Sequence, residues 1–224
     1  MKGKTLRELL VRVVLLLLGL CIAHLGVALF LQTNLGSDPF NVFVQGLFRT
    51  FPQIAGFPMT HGRVHLIVSL LIMVVLLVVD RSYVGIGTVL CMALGGPIID
   101  VYTLWLAPFL NEGLPLPLRV GLLAVGCVIL AFGMTIVIRS QAGTGPNDLV
   151  AVVLSDKSGK PFGPVRIGVD LAFVLIGFVL GGVVGVGTII CAFLVGPAAQ
   201  LFFPLSQKIC TFALERFAGL PSRT

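Results

Sequence analysis

Six apolar runs, at residues 9–31, 64–79, 84–106, 118–138, 167–180 and 184–203, constrain this chain more than any other feature. A helix needs about 20 apolar residues to cross a hydrocarbon core of about 30 Å, at about 1.5 Å rise per residue. Charged residues make up 11% of the chain, against about 25% in soluble domains. That is too little charge to cover a soluble surface, so an ordinary soluble enzyme, a disordered chain and a nucleic-acid binder are all excluded. The net charge of +6 fits loops facing anionic lipid. Lys2, Lys4 and Arg7 precede the first run as in a signal peptide. However, the run is too long for an h-region and lacks a small-x-small exit, so it reads as a retained span. Cys21, Cys91, Cys127, Cys191 and Cys210 are odd in number and lie in apolar runs, which argues against a disulfide framework or a zinc site. No cofactor is expected.

The chain is also written twice. Gly85, Gly87, Thr88, Cys91, Leu94, Gly96 and Pro97 recur 100 residues later as Gly185, Gly187, Thr188, Cys191, Leu194, Gly196 and Pro197. Residues 35–41 match 142–148 at an offset of 107, which also pairs Arg12 with Arg119, Gly19 with Gly126 and Gly26 with Gly133. Arg63 pairs with Arg166 at an offset of 103. Such a repeat sets the architecture before any other consideration.

The predicted fold is an all-α membrane protein of two tandem halves, with about six transmembrane helices and two short re-entrant or interfacial ones. Residues 1–110 form the first half with short helix 39–51, and residues 111–204 the second with short helix 146–154. Residues 205–224 read as an amphipathic cytoplasmic tail. If the short stretches do not cross, the halves are inverted, with Arg49, Arg63 and Arg119 outside and the other 12 of 15 Lys and Arg inside. If they do cross, the halves are parallel and only Arg81 and Arg139 lie outside. Both readings place the termini in the cytoplasm. Span length favours six crossings and inverted halves.

Two breaks carry the candidate site. In Gly36-Ser37-Asp38-Pro39 and Gly143-Thr144-Gly145-Pro146, glycine permits a turn, and Ser37, Asp38 or Thr144 can cap the next helix. Proline suits the first helical position because it has no N–H to lose. The free amides of each short helix face its break, where anionic groups are attracted. Paired interrupted segments in two halves point to a transporter site. The plain alternative is a capped helix lying at the interface. Asn41 and Asp148 occupy equivalent positions, with Gln45 and Asn147 nearby, and polar groups avoid lipid. The solute-binding candidates are therefore Ser37, Asp38, Asn41, Thr144, Asn147 and Asp148, with the carboxylates favouring a cation or amine.

Candidates for ion or proton coupling are Arg63, His65, Arg166 and Asp170. Asp170 lies four residues after Arg166, on the same helix face. Arg63 has Ile67 at that spacing and would reach Asp38 or Asp100. His24 reads as a core histidine, and Asp100 as reaching the interface. The Gly85–Gly87, Gly185–Gly187 and Gly177-Gly181-Gly185 strips read as helix packing, with Cys91 and Cys191 as small packing residues. Pro97 and Pro197 predict kinks.

The break at 35–41, the Gly85-Ile86-Gly87-Thr88 block and the following Gly96-Pro97-Ile98-Ile99-Asp100 resemble the YczE/YyaS/YitT family of bacterial membrane proteins. Its pattern has a Gly-x-Asp-Pro-Trp-like break and a later Gly-Thr, Gly-Pro-x-x-Asp helix. Phe40 stands where an aromatic is usual, and Gly145 replaces the aspartate in the second half. The resemblance implies a multi-span protein of the bacterial cytoplasmic membrane and no particular activity. No Ser/His/Asp set, HExxH, Walker loop or dinucleotide fingerprint occurs, so no enzyme is expected. The duplicated Gly-Pro architecture points to a small-solute transporter with its site between the halves. The competing reading is a regulatory subunit that docks a cytosolic protein through basic residues 157–166 and the tail. The expected partners are the lipid bilayer and a small solute, with a homo-oligomer or cytosolic partner open and no nucleic acid.

Overall fold

The computed structural model describes residues 5–54, 57–110 and 113–219. Eight α-helices follow in order: α1 (Leu6–Thr33), α2 (Pro39–Thr50), α3 (His61–Val79), α4 (Ile86–Leu106), α5 (Leu116–Ser140), α6 (Pro146–Ser158), α7 (Phe162–Val179) and α8 (Val186–Ala218). A two-residue antiparallel ladder, Gln53 with Pro58 and Ile54 with Phe57, closes the turn before α3. Among the described residues, α1, α3, α4, α5 and α8 are long and apolar enough to cross a membrane. The chain is a membrane protein, and its outward faces carry Leu71, Val78, Leu104, Val179, Phe193 and Leu201 because lipid, not water, surrounds them.

Glycine decides how the two longest-packed helices meet. Gly19 of α1 sits on Gly133 of α5, and Gly26 sits on Gly126. A Cβ at Gly19 would lie 2.8 Å from the Gly133 carbonyl oxygen. Small residues let backbones approach this closely where burial from water cannot drive association. The low-numbered glycine of α1 meets the high-numbered glycine of α5, so the two helices run antiparallel.

Both ends of that pair are closed by arginine. Arg12 Nη1 donates to the Ser140 carbonyl at 2.9 Å, and Arg119 Nε donates to the Thr33 carbonyl at 2.9 Å. Each guanidinium thus caps the other helix's C-terminus, where carbonyls lack intrahelical partners and the dipole favours a cation. Arg12 is buried and held in turn by Glu8 Oε1 at 2.8 Å.

The chain then turns through residues that correspond at the 107 offset. Asn34 (φ 47°) and Gln141 (φ 53°) end α1 and α5 in the left-handed region, and Gly36 (φ 112°) and Gly143 (φ 147°) follow. The Gly187 N–H donates to the Leu35 carbonyl at 2.8 Å, and the Gly87 N–H donates to the Ala142 carbonyl at 3.1 Å. Each break is therefore docked on the start of the other half's last long helix. Thr88 and Thr188 accept from the Gly85 and Gly185 N–H at 3.4 Å and anchor those starts.

Three expectations change. The tail is not a separate helix over 205–224: through Ala218 it continues α8, and residues 220–224 lie outside the described residues. Pro204 removes only one backbone donor, while Ser206, Cys210 and Leu214 are buried. Ser206 Oγ lies 2.7 Å from Thr135 Oγ1, and Cys210 packs with Leu15 and Ile136. The Gly177-Gly181-Gly185 strip is not one helix face either. Helix α7 stops at Val179, Gly181 takes φ 85° in the turn, and Gly185 caps α8. Gly177 packs on the backbone of Phe43 in α2. The basic stretch 157–166 is largely used inside the molecule. Lys157 Nζ meets Asp80 Oδ2 at 3.0 Å, and Arg166 turns inward. At that turn the Ser82 N–H and hydroxyl, with Lys157, hold the Asp80 carboxyl down to about 2.

Filling the α1–α5 contact should be costly. Gly133→Leu is expected to lower stability by about 1–3 kcal/mol or more through overpacking. Gly121→Leu, on the same helix with open space around it, should leave the thermal midpoint in detergent unchanged.

Candidate functional site

A cavity of about 900 Å³ is walled by both breaks. Asp38, Pro39, Phe40 and Asn41 contribute one side, and Gly145, Pro146, Asn147 and Asp148 the other. Leu20, Ala23, His24 and Val27, around the middle of α1, complete the wall with Arg166, Asp170 and part of α8.

At the first break Asp38 caps α2. Its Oδ1 accepts from the Asn41 N–H at 3.3 Å and its Oδ2 from Asn41 Nδ2 at 2.8 Å and the Ser37 hydroxyl at 3.3 Å. Because Asn41 Nδ2 is spent on Asp38, its Oδ1 accepts from His61 Nε2 at 3.0 Å, which fixes the proton on that nitrogen. At the second break Gly145 offers no side chain to cap α6. There Asp148 Oδ1 accepts from Arg166 Nη1 at 2.8 Å and from Asn147 Nδ2 at 3.3 Å. Arg166 Nε donates to Asp170 Oδ2 at 3.0 Å, the pair expected from the four-residue spacing. Asp170 interacts electrostatically with both Asp38 and Asp148. The breaks thus share one cavity, and Arg166 and Asp170 of α7 stand in its wall.

The structure brings Asp38, Asn41, Asn147, Asp148, His65, Arg166 and Asp170 to the cavity wall. Ser37 is buried just behind it, and Thr144 lies beside the second break outside the lining. Arg63 is elsewhere: it is exposed and donates to the Pro58 carbonyl, reaching neither Asp38 nor Asp100. Asp100 is already taken, since it accepts from the Thr60 hydroxyl and from the Gly62 N–H at 2.9 Å. His24 is satisfied within its own helix, as a core histidine would be, and its ring also lines the cavity, 5.8 Å from His65 in an edge-on arrangement. Its Nδ1 donates to the Leu20 carbonyl at 2.8 Å. His65 also stands edge-on to Phe40 at 5.2 Å, and its Nδ1 is buried without a partner. The spacing between His24 and His65 held no signal for this meeting, which depends on α1 and α3 crossing.

The two flanks of the cavity differ. In the first half, Gly62 of α3 lies against Gly96 of α4, and Asp100 closes the seam. In the second half, Val165 and Gln200 stand at the positions of Gly62 and Asp100, and Gly196 has open space around it. The cavity opens there, between α7 and α8, past the exposed apolar side chains of Ile167, Leu171, Ile189 and Phe193.

A family described as "Family of unknown function (DUF6198)" matches residues 10–204. The uncharacterized membrane protein YczE of Bacillus subtilis (strain 168) is 28% identical over 94% of both chains. An uncharacterized protein of Haemophilus influenzae is 28% identical over 90% of this chain and 88% of its own. The uncharacterized protein YyaS of Bacillus subtilis is 24% identical over 85% of this chain and 92% of its own. These relatives bear out the YczE/YyaS resemblance drawn from the break and the Gly-Thr block. No solved structure matches the chain.

Removing Arg166 from the cavity wall leaves its two partners, Asp148 and Asp170, facing each other. Arg166→Met is expected to cost about 1–3 kcal/mol, the penalty of a carboxylate left without its partner. Adding Asp148→Asn should recover part of that loss, read as the thermal midpoints of the single and double variants.

Proposed function

The chain belongs to the DUF6198 family, and we propose that it is a small-solute transporter of the cytoplasmic membrane, a carrier without enzymatic chemistry. One observation carries the reading: the two interrupted segments, 107 residues apart in sequence, wall a single cavity near the middle of α1. Discontinuous helices that meet between two halves are the recurring way to build a solute site inside a bilayer. Non-helical backbone is tolerated at that depth only where it is buried in protein or lines a cavity.

Four contacts support six crossings, with α7 as the sixth span and α2 and α6 re-entrant. Lys157 meets Asp80 at 3.0 Å, Arg49 Nη1 donates to the Gly181 carbonyl at 3.2 Å, Arg12 reaches Ser140, and Arg119 reaches Thr33. Eight crossings would put the members of each pair on opposite faces of the bilayer. The antiparallel run of the equivalent helices α1 and α5 supports inverted halves. The distribution of Lys and Arg then favours termini in the cytoplasm. The opening between α7 and α8, against the sealed α3–α4 seam, reads as access to the cavity from one flank.

Ser82→Cys is expected to react with an impermeant maleimide only from the cytoplasmic side; labelling from outside would overturn the six-span arrangement. Uptake and export in proteoliposomes across a metabolite panel should reveal at least one saturable flux, lost when Asn147→Trp fills the cavity. A panel without flux overturns transport and leaves a regulatory role standing.

A further inference from the structure

We propose that the solute is an organic cation with an apolar body, its charged nitrogen held at Asp38. The inference rests on reading the cavity as a solute site and assigns the class of solute. Among the described residues, the lining holds three carboxylates, Asp38, Asp148 and Asp170, against one guanidinium, Arg166. Arg166 is spent on Asp148 and Asp170 through Nη1 and Nε. Asp38 receives only neutral donors, from Asn41 and Ser37, and no ion pair forms to it among the described residues. A carboxylate at membrane depth without a cation is expensive, and it gains most from a positive ligand.

The neighbours of Asp38 suit an amine. Phe40 follows it in the wall, and π-faces attract a desolvated cation. His65 stands edge-on to Phe40, is 7% exposed, and carries a buried Nδ1 with no partner. A neutral imidazole keeps one ring nitrogen as an acceptor, and His65 lines the same cavity as Asp38. The rest of the wall is apolar, with Leu20, Val27, Met134, Leu171, Val174 and Phe193. The volume of about 900 Å³ is in the range of small-molecule sites. The cap carboxylate that would meet the amine stands at one break only, since Gly145 takes the place of Asp38 at the other.

An anion is disfavoured by the same geometry. The amides at the start of α2 would suit one, but Asp38 already accepts from the Asn41 N–H there. At the start of α6, Asp148 occupies the first turn.

Three ligands with one body and different charges test this: phenethylamine, 2-phenylethanol and 3-phenylpropionate, titrated calorimetrically against the full chain in nanodiscs. Phenethylamine should bind about tenfold or more tightly than the alcohol, with the carboxylate weakest. Asp38→Asn, which keeps an equally good helix cap, should erase the amine's advantage, with its helical circular dichroism checked against the unmodified chain. The ranking on the unmodified chain tests the class without depending on any variant. An amine no tighter than the alcohol, a preference for the carboxylate, no binding of any of the three, or a folded Asp38→Asn that keeps the advantage would each overturn the proposal. Amine binding in the expected order without flux in proteoliposomes would overturn transport and support the cation site. Flux confined to 3-phenylpropionate would support transport and overturn the cation.

Discussion

A helix that ends leaves its last carbonyls without intrahelical partners. Everything in this molecule depends on how the two breaks meet that demand. The Thr33 and Leu35 carbonyls of the first half are bonded by Arg119 and by the Gly187 N–H of the second. The Ser140 and Ala142 carbonyls of the second are bonded by Arg12 and by the Gly87 N–H of the first. Neither half can end its long helix without the other. The glycines along α1 and α5 allow the approach that makes this exchange reachable, and Thr88 and Thr188 hold the receiving helices in place.

The same exchange creates the cavity. Turning the chain back at each break aims the start of a short helix toward the interior, so Asp38 with Asn41 and Asp148 with Asn147 face a common space. Arg166 of α7 is bonded to the second break through Asp148 and to Asp170 on its own helix. The flanks are unequal because Gly62, Gly96 and Asp100 seal α3 to α4, while Val165 and Gln200 cannot seal α7 to α8. A Cβ at Gly96 would collide with the Gly62 backbone, whereas one at Gly196 would meet nothing.

Features set by neighbours along the chain were legible in the sequence. The breaks, the proline at the start of each short helix and the Arg166–Asp170 pair all follow from local spacing. Features set by helix crossings were not. Asp148 joining Arg166 depends on how α6 folds back on α7. The meeting of His24 with His65 depends on α1 passing α3. Arg63 was expected to seek a carboxylate inside the protein, yet the nearer carbonyl of Pro58 holds it at the surface. Asp100 looked peripheral because its partners, Thr60 and the Gly62 N–H, come from a different helix. The tail looked amphipathic because Lys208, Glu215 and Arg216 stand among apolar residues, while the contacts of Ser206 and Cys210 pack this end of α8 on α1 and α5.

By itself, the sequence determined that this chain lies in lipid, that it is organised as two corresponding stretches, and where each stretch breaks. Those properties follow from apolar length, from recurrence and from glycine and proline, all of which act on neighbouring residues. Only the tertiary structure decided that the breaks share one cavity, that α1 and α5 run antiparallel, and that Asp38 faces the cavity without a cation among the described residues. Those depend on which unpaired carbonyl finds which donor across the molecule, and residue order alone does not specify that matching.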